Sequence, residues 1–261
     1  MSNGTGKKIA LLAVFLAMMI GLGVWITKFN PESGTLSSVV QKPQPAPKLD
    51  MLKLEGQWPQ IAAHSAAPAR GRASTRYTLV EFGDFQCPQC GQARPLLEDI
   101  LRKYPSQVNL LFIHRPFPQL HKWAIPAGKA SEIAAAQGKF WPMYDKLYGQ
   151  QDNLEPGYYG EYAAQIGLNK AGFQKAFDTG AGEDKVTAAT VFSNAVGVQQ
   201  TPTLLLHDGM KNTVAIYVGL DGTKNSDGTP QYPGIKEMAV RPPWGGSAAA
   251  LTPSKLPPSP R

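Results

Sequence analysis

Cysteine and histidine are scarce in this sequence, which contains two cysteines and four histidines among 261 residues. A four-ligand zinc site requires a second pair of ligands. None of the histidines stands at ligand spacing, so no metal site is predicted (His64, His114, His121 and His207). The two cysteines are separated by two residues, and a disulfide that closes so small a loop constrains little of the unfolded chain. A purely structural disulfide is therefore disfavoured, and no cofactor is predicted.

Acidic residues are few at both ends of the chain. The formal net charge is +7, and residues 1–50 and 241–261 carry +3 each, which leaves +1 for residues 51–240. A nucleic-acid-binding domain concentrates Lys and Arg on a folded face. Because the positive charge lies in the terminal segments, nucleic acid is excluded as a partner.

One long uncharged run lies near the amino terminus, where Ile9 to Thr27 spans 19 residues without a charge. A helix needs ~20 apolar residues to cross a bilayer. Lys7 and Lys8 precede the run, which favours a cytoplasmic amino terminus. We therefore predict that residues 1–28 form a cytoplasmic N-terminus and a transmembrane signal anchor, with a cleaved signal peptide as the alternative. Either segment would export the rest of the chain to an oxidising compartment, where a cysteine pair can persist as a disulfide.

The cysteine pair lies where a predicted strand leads into a predicted helix. Residues 77–82 are an apolar run typical of a strand, and a helical pattern continues over residues 91–104. Cys87 is therefore expected in the first turn of the helix, where free backbone N–H groups and the helix dipole favour an anion. A thiolate is stabilised there, so its pKa falls below about 8.5. In this context Cys87 and Cys90 are predicted to form a redox centre.

The rest of the chain divides into a linker, a globular domain and a tail. Residues 29–75 are predicted to be an extracytoplasmic linker, rich in Pro, Ser and Lys as far as residue 50, whereas residues 51–75 could add an edge strand or pack loosely on the domain. Residues 76–240 form the domain, and the six prolines of residues 241–261 predict a disordered tail. A strand, a helix and a strand in succession predict a βαβ unit with parallel strands. The predicted strands are 77–82, 108–114, 203–207 and 213–218; the predicted helices are 88–104, 124–137, 140–150, 158–166, 170–177, 183–195 and 235–240, with a loop at 220–234.

An aromatic stripe follows one of the predicted helices. Phe140, Tyr144 and Tyr148 are spaced four residues apart, which places them on one helical face. We interpret the stripe as core that fixes the helical region to the sheet. A peptide-binding groove is the alternative.

Four segments together resemble the DsbA-like branch of the thioredoxin superfamily. They are VEFGDFQCPQC (80–90), HRPFP (114–118), QGKFWPMYDKLYGQQ (137–151) and VGVQQTPTLLL (196–206). The resemblance extends over residues 77–220, and a Thr-Pro sequence before a hairpin makes it more specific than Cys-x-x-Cys alone. It implies an α/β thioredoxin-like fold with an inserted helical subdomain at about 119–196.

The resemblance also implies roles for the residues of the motif. Cys87 would be the nucleophile and Cys90 the thiol that closes the disulfide. Pro88 and Gln89 would tune the redox potential, and the most strongly oxidising relatives have Pro-His in their place. The loss of that imidazole removes one group that stabilises the thiolate, so the direction of the reaction stays open.

Two further sites follow from the resemblance. Glu81 stands where relatives carry a buried acid and could shuttle the proton of Cys90, the alternative being that Glu81 or Asp84 is a solvated carboxylate at the end of the strand. Pro202 is expected to take a cis peptide bond facing the cysteines. Thr201 and Pro202 would present backbone groups to an extended substrate.

The predicted function is that of a membrane-anchored thiol:disulfide oxidoreductase on a single-pass anchor in a bacterial inner membrane, with its catalytic domain in the periplasm or outside the cell. Its partners would be cysteine-containing exported proteins and a membrane redox partner. The alternatives are a disulfide reductase of the same fold and a tethered peptide-binding module without turnover. An isomerase is disfavoured because residues 31–75 lack the heptads of a dimerisation helix.

Overall fold

The structure is a computed structural model that describes residues 49, 51–67, 69–225 and 228–244. The predicted anchor at 9–27, the linker before residue 49 and the tail beyond residue 244 lie outside these ranges. Within them, no helix has both the length and the apolar character needed to cross a membrane.

The described residues contain the predicted strands and helices in the predicted order, with two further helices before them and two further short strands near the end. The helices are α1 (Met51–Gly56), α2 (Trp58–Ala63), α3 (Pro88–Lys103), α4 (Ala124–Ala135), α5 (Phe140–Tyr148), α6 (Pro156–Gln165), α7 (Lys170–Asp178), α8 (Glu183–Ala195) and α9 (Ile235–Val240). The strands are β1 (Tyr77–Gly83), β2 (Val108–His114), β3 (Thr203–Asp208), β4 (Thr213–Val218), β5 (Thr223–Lys224) and β6 (Pro230–Tyr232). The predicted α/β class and helical insert are therefore present, with α4 to α8 between β2 and β3.

The central sheet has the strand order β2-β1-β3-β4. β1 pairs parallel with β2, as predicted, and antiparallel with β3, which pairs antiparallel with β4. All side chains of β3 and nearly all of β1 and β2 are buried, as expected for strands covered on both faces. Glu81 lies in the middle of this apolar sheet, opposite Phe112 on one side and Leu204 on the other.

Residues 51–75 are folded against the sheet. Leu54 of α1 and Ile61 of α2 are fully buried in a cluster with side chains of β1, β3 and β4. Residue 70 forms an antiparallel bridge with Leu110, and the N–H of Ala66 donates to the oxygen of Phe112. These contacts occupy backbone groups along the open edge of β2, which would otherwise be exposed for pairing.

Two segments differ from their sequence-based descriptions. The predicted loop at 220–234 contains the short hairpin of β5 and β6. Trp244, within the predicted tail, is buried beside Tyr77, with ring centroids 5.3 Å apart. Both segments rely on tertiary contacts instead of a periodic pattern, which is why composition alone described them as loop and tail.

Candidate active site

Cys87 caps the N-terminus of α3. Its backbone is extended (φ −69°, ψ 119°), and Pro88 opens the helix, a position that suits proline because the N–H it lacks has no partner within the helix. Cys90 lies one turn on, with its N–H donating to the oxygen of Cys87 at 3.1 Å. Cys90 is fully buried and Cys87 retains 6% exposure. Of the two cysteines, only Cys87 therefore keeps any exposed area.

The two thiols differ in acidity. Hydrogen bonding from the Cys90 thiol is the largest cause that lowers the pKa of Cys87, to about 6, with Thr201 and the amides of residues 89 and 90 adding to it against the effect of burial. Burial raises the pKa of Cys90 well above its ordinary value, and the neighbouring Cys87 raises it further. At neutral pH the pair therefore holds one thiolate and one thiol.

The Thr201–Pro202 loop lies beside the first cysteine. The Thr201–Pro202 peptide bond is cis, and Cys87 Sγ lies 3.4 Å from the backbone oxygen of Thr201. The oxygen of Pro202 accepts from the N–H of Gly219 at 2.8 Å, which ties the loop to the end of β4. The structure thus brings the predicted cysteine and the Thr-Pro residues together.

Glu81 lies beneath the cysteines and is completely buried. Tyr144 Oη donates to one carboxylate oxygen at 2.7 Å and Tyr148 Oη to the other at 3.2 Å. Burial raises the pKa of Glu81 to about 7, although the two tyrosine hydrogen bonds lower it. Since Asp84 is also buried, neither carboxylate is the solvated strand-end group that was the alternative.

The tyrosines were predicted as core and their hydroxyls were missed. Phe140, Tyr144 and Tyr148 are all buried, as the four-residue spacing indicated. The signal that could have revealed the hydroxyls is the predicted buried acid itself, because a buried carboxylate needs donors. Tyrosines on a neighbouring helical face are natural candidates for that role.

Asp84 is a second acceptor at the active-site turn that sequence reasoning did not assign. Its carboxylate accepts from the N–H of Gln86 at 2.9 Å and from the N–H of Phe117 at 3.0 Å. His121 Nδ1 lies 2.7 Å from the same carboxylate. These bonds fix the turn before Cys87 to the loop after β2.

Gln89, predicted to tune the redox potential, lies near the end of β4. Its side-chain oxygen is 3.3 Å from where a Cβ at Gly219 would stand. Among the residues that the structure describes, no group of three or more His, Cys, Asp or Glu side chains is arranged to hold a metal ion.

Comparisons with known proteins place this geometry in a family. The family model described as Thioredoxin matches residues 64–214, which is more than half of the chain. A curated relative, a Na(+)/H(+) antiporter NhaA of Salinispora tropica, is 34% identical over 151 residues, 56% of this chain and 23% of the antiporter. The match thus spans about a quarter of that relative.

Solved structures share the fold. BdbD from Bacillus subtilis in its oxidised form has a TM-score of 0.51 at 23% identity, covering 55% of this chain and 82% of that one. The thiol-disulfide exchange protein α-DsbA2 from Wolbachia pipientis has a TM-score of 0.53 at 16% identity, covering 64% of this chain and 87% of that one. These matches confirm the predicted resemblance at the level of fold. With its Cys-x-x-Cys at the start of α3 and the family match over residues 64–214, the chain belongs to the thioredoxin family and has the fold of DsbA-like thiol:disulfide oxidoreductases.

Proposed function

We propose that this protein is an extracytoplasmic thiol:disulfide oxidoreductase that forms disulfides in exported proteins through Cys87 and Cys90. The observation that carries the proposal is the asymmetry of the two cysteines: Cys87 caps α3 beside Thr201 and has its pKa lowered to about 6, whereas Cys90 is fully buried and has its pKa raised. A thiol of low pKa is a good leaving group. The reduced form of the pair is therefore stabilised, which favours oxidation of a substrate.

The exchange takes place in two steps. A substrate thiolate attacks Cys87 Sγ, the Cys87–Cys90 bond breaks, and a mixed disulfide forms. The second substrate thiolate then attacks the substrate sulfur of that mixed disulfide, and Cys87 leaves as a thiolate. The substrate gives its two electrons to the pair and its two protons to the solvent, and the pair then holds Cys87 as a thiolate and Cys90 as a thiol whose proton comes from Glu81. A membrane redox partner that accepts two electrons would restore the disulfide.

Glu81 provides a route for the proton in the first step. Cys90 leaves as a thiolate in a fully buried position and must gain a proton, because burial disfavours its charged form. The pKa of Glu81 is raised to about 7, which is close to the value at which a carboxyl both gives and takes a proton near neutral pH. Glu81 would deliver the proton to Cys90 and recover it when the pair is reoxidised.

The Thr-Pro loop supplies the substrate surface in this proposal. The Thr201 oxygen lies within 3.4 Å of Cys87 Sγ, where it could accept from a backbone N–H of an extended peptide in the manner of strand addition. Pro202 offers neither a donor nor a metal ligand beside the reactive sulfur.

Activity is tested with a reduced peptide that carries two cysteines, incubated with the oxidised protein in equal amounts. We expect stoichiometric conversion of the peptide to its disulfide and loss of conversion in Cys87→Ser. When the oxidised peptide is offered to Cys90→Ala instead, we expect the Cys87 thiolate to open the peptide disulfide and to remain in a mixed disulfide, because the second thiol that would release it is absent. A function that persists in Cys87→Ser would indicate a peptide-binding module without turnover.

Direction is tested by the reduction potential. A value near about −120 mV supports an oxidase, whereas a value near about −270 mV supports a reductase of the same fold. Equilibration with glutathione of known ratio, followed by alkylation and mass measurement, gives this value directly.

The location is tested on the full chain in a bacterial host. The uncharged run at residues 9–27 supports an inner-membrane anchor with the domain in the periplasm. We expect the intact mass in the membrane fraction after alkaline extraction, with the domain digested by protease only after the outer membrane is opened. A shortened, soluble periplasmic product would support the cleaved signal peptide instead.

A further inference from the structure

Gln151 reaches the active-site turn from the helical insert. It lies three residues after the end of α5. Its Nε2 donates to the oxygen of Phe85 at 2.8 Å and to the oxygen of Cys87 at 2.9 Å. Both amide protons are therefore used on the backbone that precedes α3. No step of the exchange described above uses this side chain.

Gly91 leaves the space that this amide occupies. A Cβ placed on Gly91 would stand 2.1 Å from the side-chain oxygen of Gln151 and 2.7 Å from its Cδ, distances that no real side chain tolerates. Gly91 is in the first turn of α3, where glycine is disfavoured relative to alanine. A glycine there is explained by the close approach of Gln151.

The backbone carbonyl oxygen of Cys87 accepts three hydrogen bonds. It accepts from the N–H of Cys90 at 3.1 Å, from the N–H of Gly91 at 3.2 Å and from Gln151 Nε2. Each donor draws negative charge away from a carbonyl that belongs to the same residue as the thiolate. The partial positive charge of the amide group thus lies beside the anion, which lowers the pKa of a neighbouring acid.

The turn is held from two sides. Asp84 accepts from Gln86 and Phe117 on one side, and Gln151 donates to Phe85 and Cys87 on the other. Of these two side chains, Gln151 is the one that contacts the backbone of Cys87, whose N–H donates to the backbone oxygen of Asp84 at 3.1 Å. The Gln151 amide therefore donates to the carbonyl of the residue that carries the reactive sulfur.

We propose that Gln151 is a positioning residue that stabilises the Cys87 thiolate and makes the pair more oxidising, and that Gly91 is required to admit it. The biological meaning of this inference rests on the proposed function, but the effect itself is a property of the reduced protein. It can be measured without any substrate.

The first test compares Gln151→Glu with Gln150→Glu in the full chain. Gln150 is the exposed neighbour, so the control makes the same isosteric, charged change one residue away. A carboxylate at 151 cannot donate to either carbonyl and adds a negative charge near the thiolate, so we expect the midpoint of the 240 nm thiolate titration to rise by about one pH unit. The control should titrate as the wild type does.

The second variant is Gln151→Met, which keeps the length of the side chain and removes the donors without adding charge. We expect the same direction with a smaller rise. If Gln151→Glu does not fold, as judged by thermal unfolding, Gln151→Met carries the test alone. A rise with glutamate but none with methionine would show a simple charge effect and overturn the positioning role.

The potential should change together with the pKa. A thiolate that is less stabilised makes the reduced form less favourable, so the equilibrium constant for oxidising glutathione should fall by about tenfold in Gln151→Glu, which corresponds to a potential about 30 mV more negative. An unchanged potential and an unchanged titration in both variants of Gln151 would overturn the proposal.

Gly91→Ala tests whether the space beside Gly91 is needed for the Gln151 amide. The added methyl group should displace the Gln151 amide and raise the pKa of Cys87, while Gly157→Ala, at a position with nothing within 4 Å of its Cβ, should leave it unchanged. In the double variant Gly91→Ala/Gln151→Met the two shifts should not add, because each removes the same contact. Additive shifts would show that the residues act separately and would overturn the pairing.

These outcomes are separable from those of the proposed function. If the peptide is not oxidised but the titration shifts as expected, the positioning role stands and the oxidase function fails. If the peptide is oxidised and no Gln151 variant shifts the titration, the function stands and the positioning role fails.

Discussion

Cys87 and Cys90 lie in one helical turn, yet they differ in exposure and in the acidity of their thiols. Cys87 keeps a small exposed area at the cap of α3 and receives a hydrogen bond from the Cys90 thiol. Cys90 is enclosed, and burial is the largest cause of its raised pKa. Because one thiol donates to the other, the two acidities move in opposite directions. The reactive sulfur is therefore defined by its partner as well as by the helix N-terminus.

This dependence gives a prediction for Cys90→Ala. Loss of the Cys90 thiol removes the largest contribution that lowers the pKa of Cys87, so the thiolate titration should move upward from about 6. Absorbance at 240 nm between pH 4 and pH 9 measures it, and Cys87→Ser should lack the low transition altogether. An unchanged midpoint in Cys90→Ala would show that the helix N-terminus alone sets the acidity.

The tyrosines around Glu81 give a second prediction. Their hydroxyls lower the pKa of Glu81 against the effect of burial, so Tyr144→Phe should raise that pKa further above about 7. Tyr148→Phe should do the same to a smaller extent, because its bond is longer. Carboxyl carbon NMR of labelled protein measures the titration, and the half-exposed Tyr158→Phe is the control. A pKa that falls in either variant would contradict this assignment.

At this scale the sequence predicted the residues with the most distinctive chemistry. Two cysteines at a helix start and a Thr-Pro before a hairpin are local patterns, and the structure places them side by side. The hydroxyls of Tyr144 and Tyr148 could not be predicted in this way. A tyrosine on a core face looks the same in the sequence whether or not its hydroxyl meets an acid on another element.

Among the elements, α1 and α2 show how the amino-terminal part of the domain stabilises the sheet. Trp58 stacks on His207 of β3, with ring centroids 4.1 Å apart. Glu55 accepts from the N–H of Val214 in β4 at 3.2 Å. Together with the buried Leu54 and Ile61, these contacts cover one face of the sheet. The helices are therefore part of the domain core, although the family match begins at residue 64.

Leu54→Ala tests the contribution of α1. Removing a fully buried leucine from a packed cluster costs about 2–5 kcal/mol of unfolding free energy, whereas Leu120→Ala, at a side chain that is 78% exposed, should change stability by less than about 0.5 kcal/mol. Urea unfolding followed by circular dichroism compares the two. Equal midpoints would show that α1 does not pack on the sheet in solution.

The sequence predicted the bounds of the longer helices and strands, but it did not predict α1 and α2. The helix of residues 183–195 and the strand of residues 108–114 were predicted with the bounds that the structure shows, because each has a pattern over many residues. α1 and α2 contain six residues each, as does α9, which was predicted at 235–240; the apolar residues of 51–63 gave no helical pattern that could be distinguished from an edge strand. Their positions are decided by contacts with distant strands.

Over the whole molecule, the active site is part of the hydrophobic core and not an addition to it. Cys87, Cys90 and Phe85 belong to the same buried cluster as the aromatic side chains of α5. The insert thus packs directly beneath the reactive turn. A change in the redox state of the pair should therefore change the free energy of unfolding of the entire domain.

The pH dependence of that coupling has a definite sign. In the reduced protein the pKa of Cys87 is about 6, below the value of about 8.5 in the unfolded chain. Its thiolate therefore contributes stability that is fully present above about pH 8.5 and is lost as the pH falls through about 6. The oxidised protein has no thiol to titrate. Reduction should stabilise the domain increasingly between these two pH values.

Between about pH 6 and about pH 8.5, we expect the free energy of unfolding of the reduced form to rise by about 2–3 kcal/mol relative to that of the oxidised form. Urea unfolding at pH 5.5, 7 and 8.5, with and without reductant, measures the difference, and reduced Cys87→Ser should lose the pH-dependent gain. Above about pH 8.5 the gain should shrink, because Cys90 ionises only in the unfolded chain. A disulfide that leaves the protein less stable than its dithiol is a strong oxidant, so the sign of this difference also decides the direction of the reaction. An oxidised form that is the more stable one at every pH would contradict the oxidase assignment and favour the reductase.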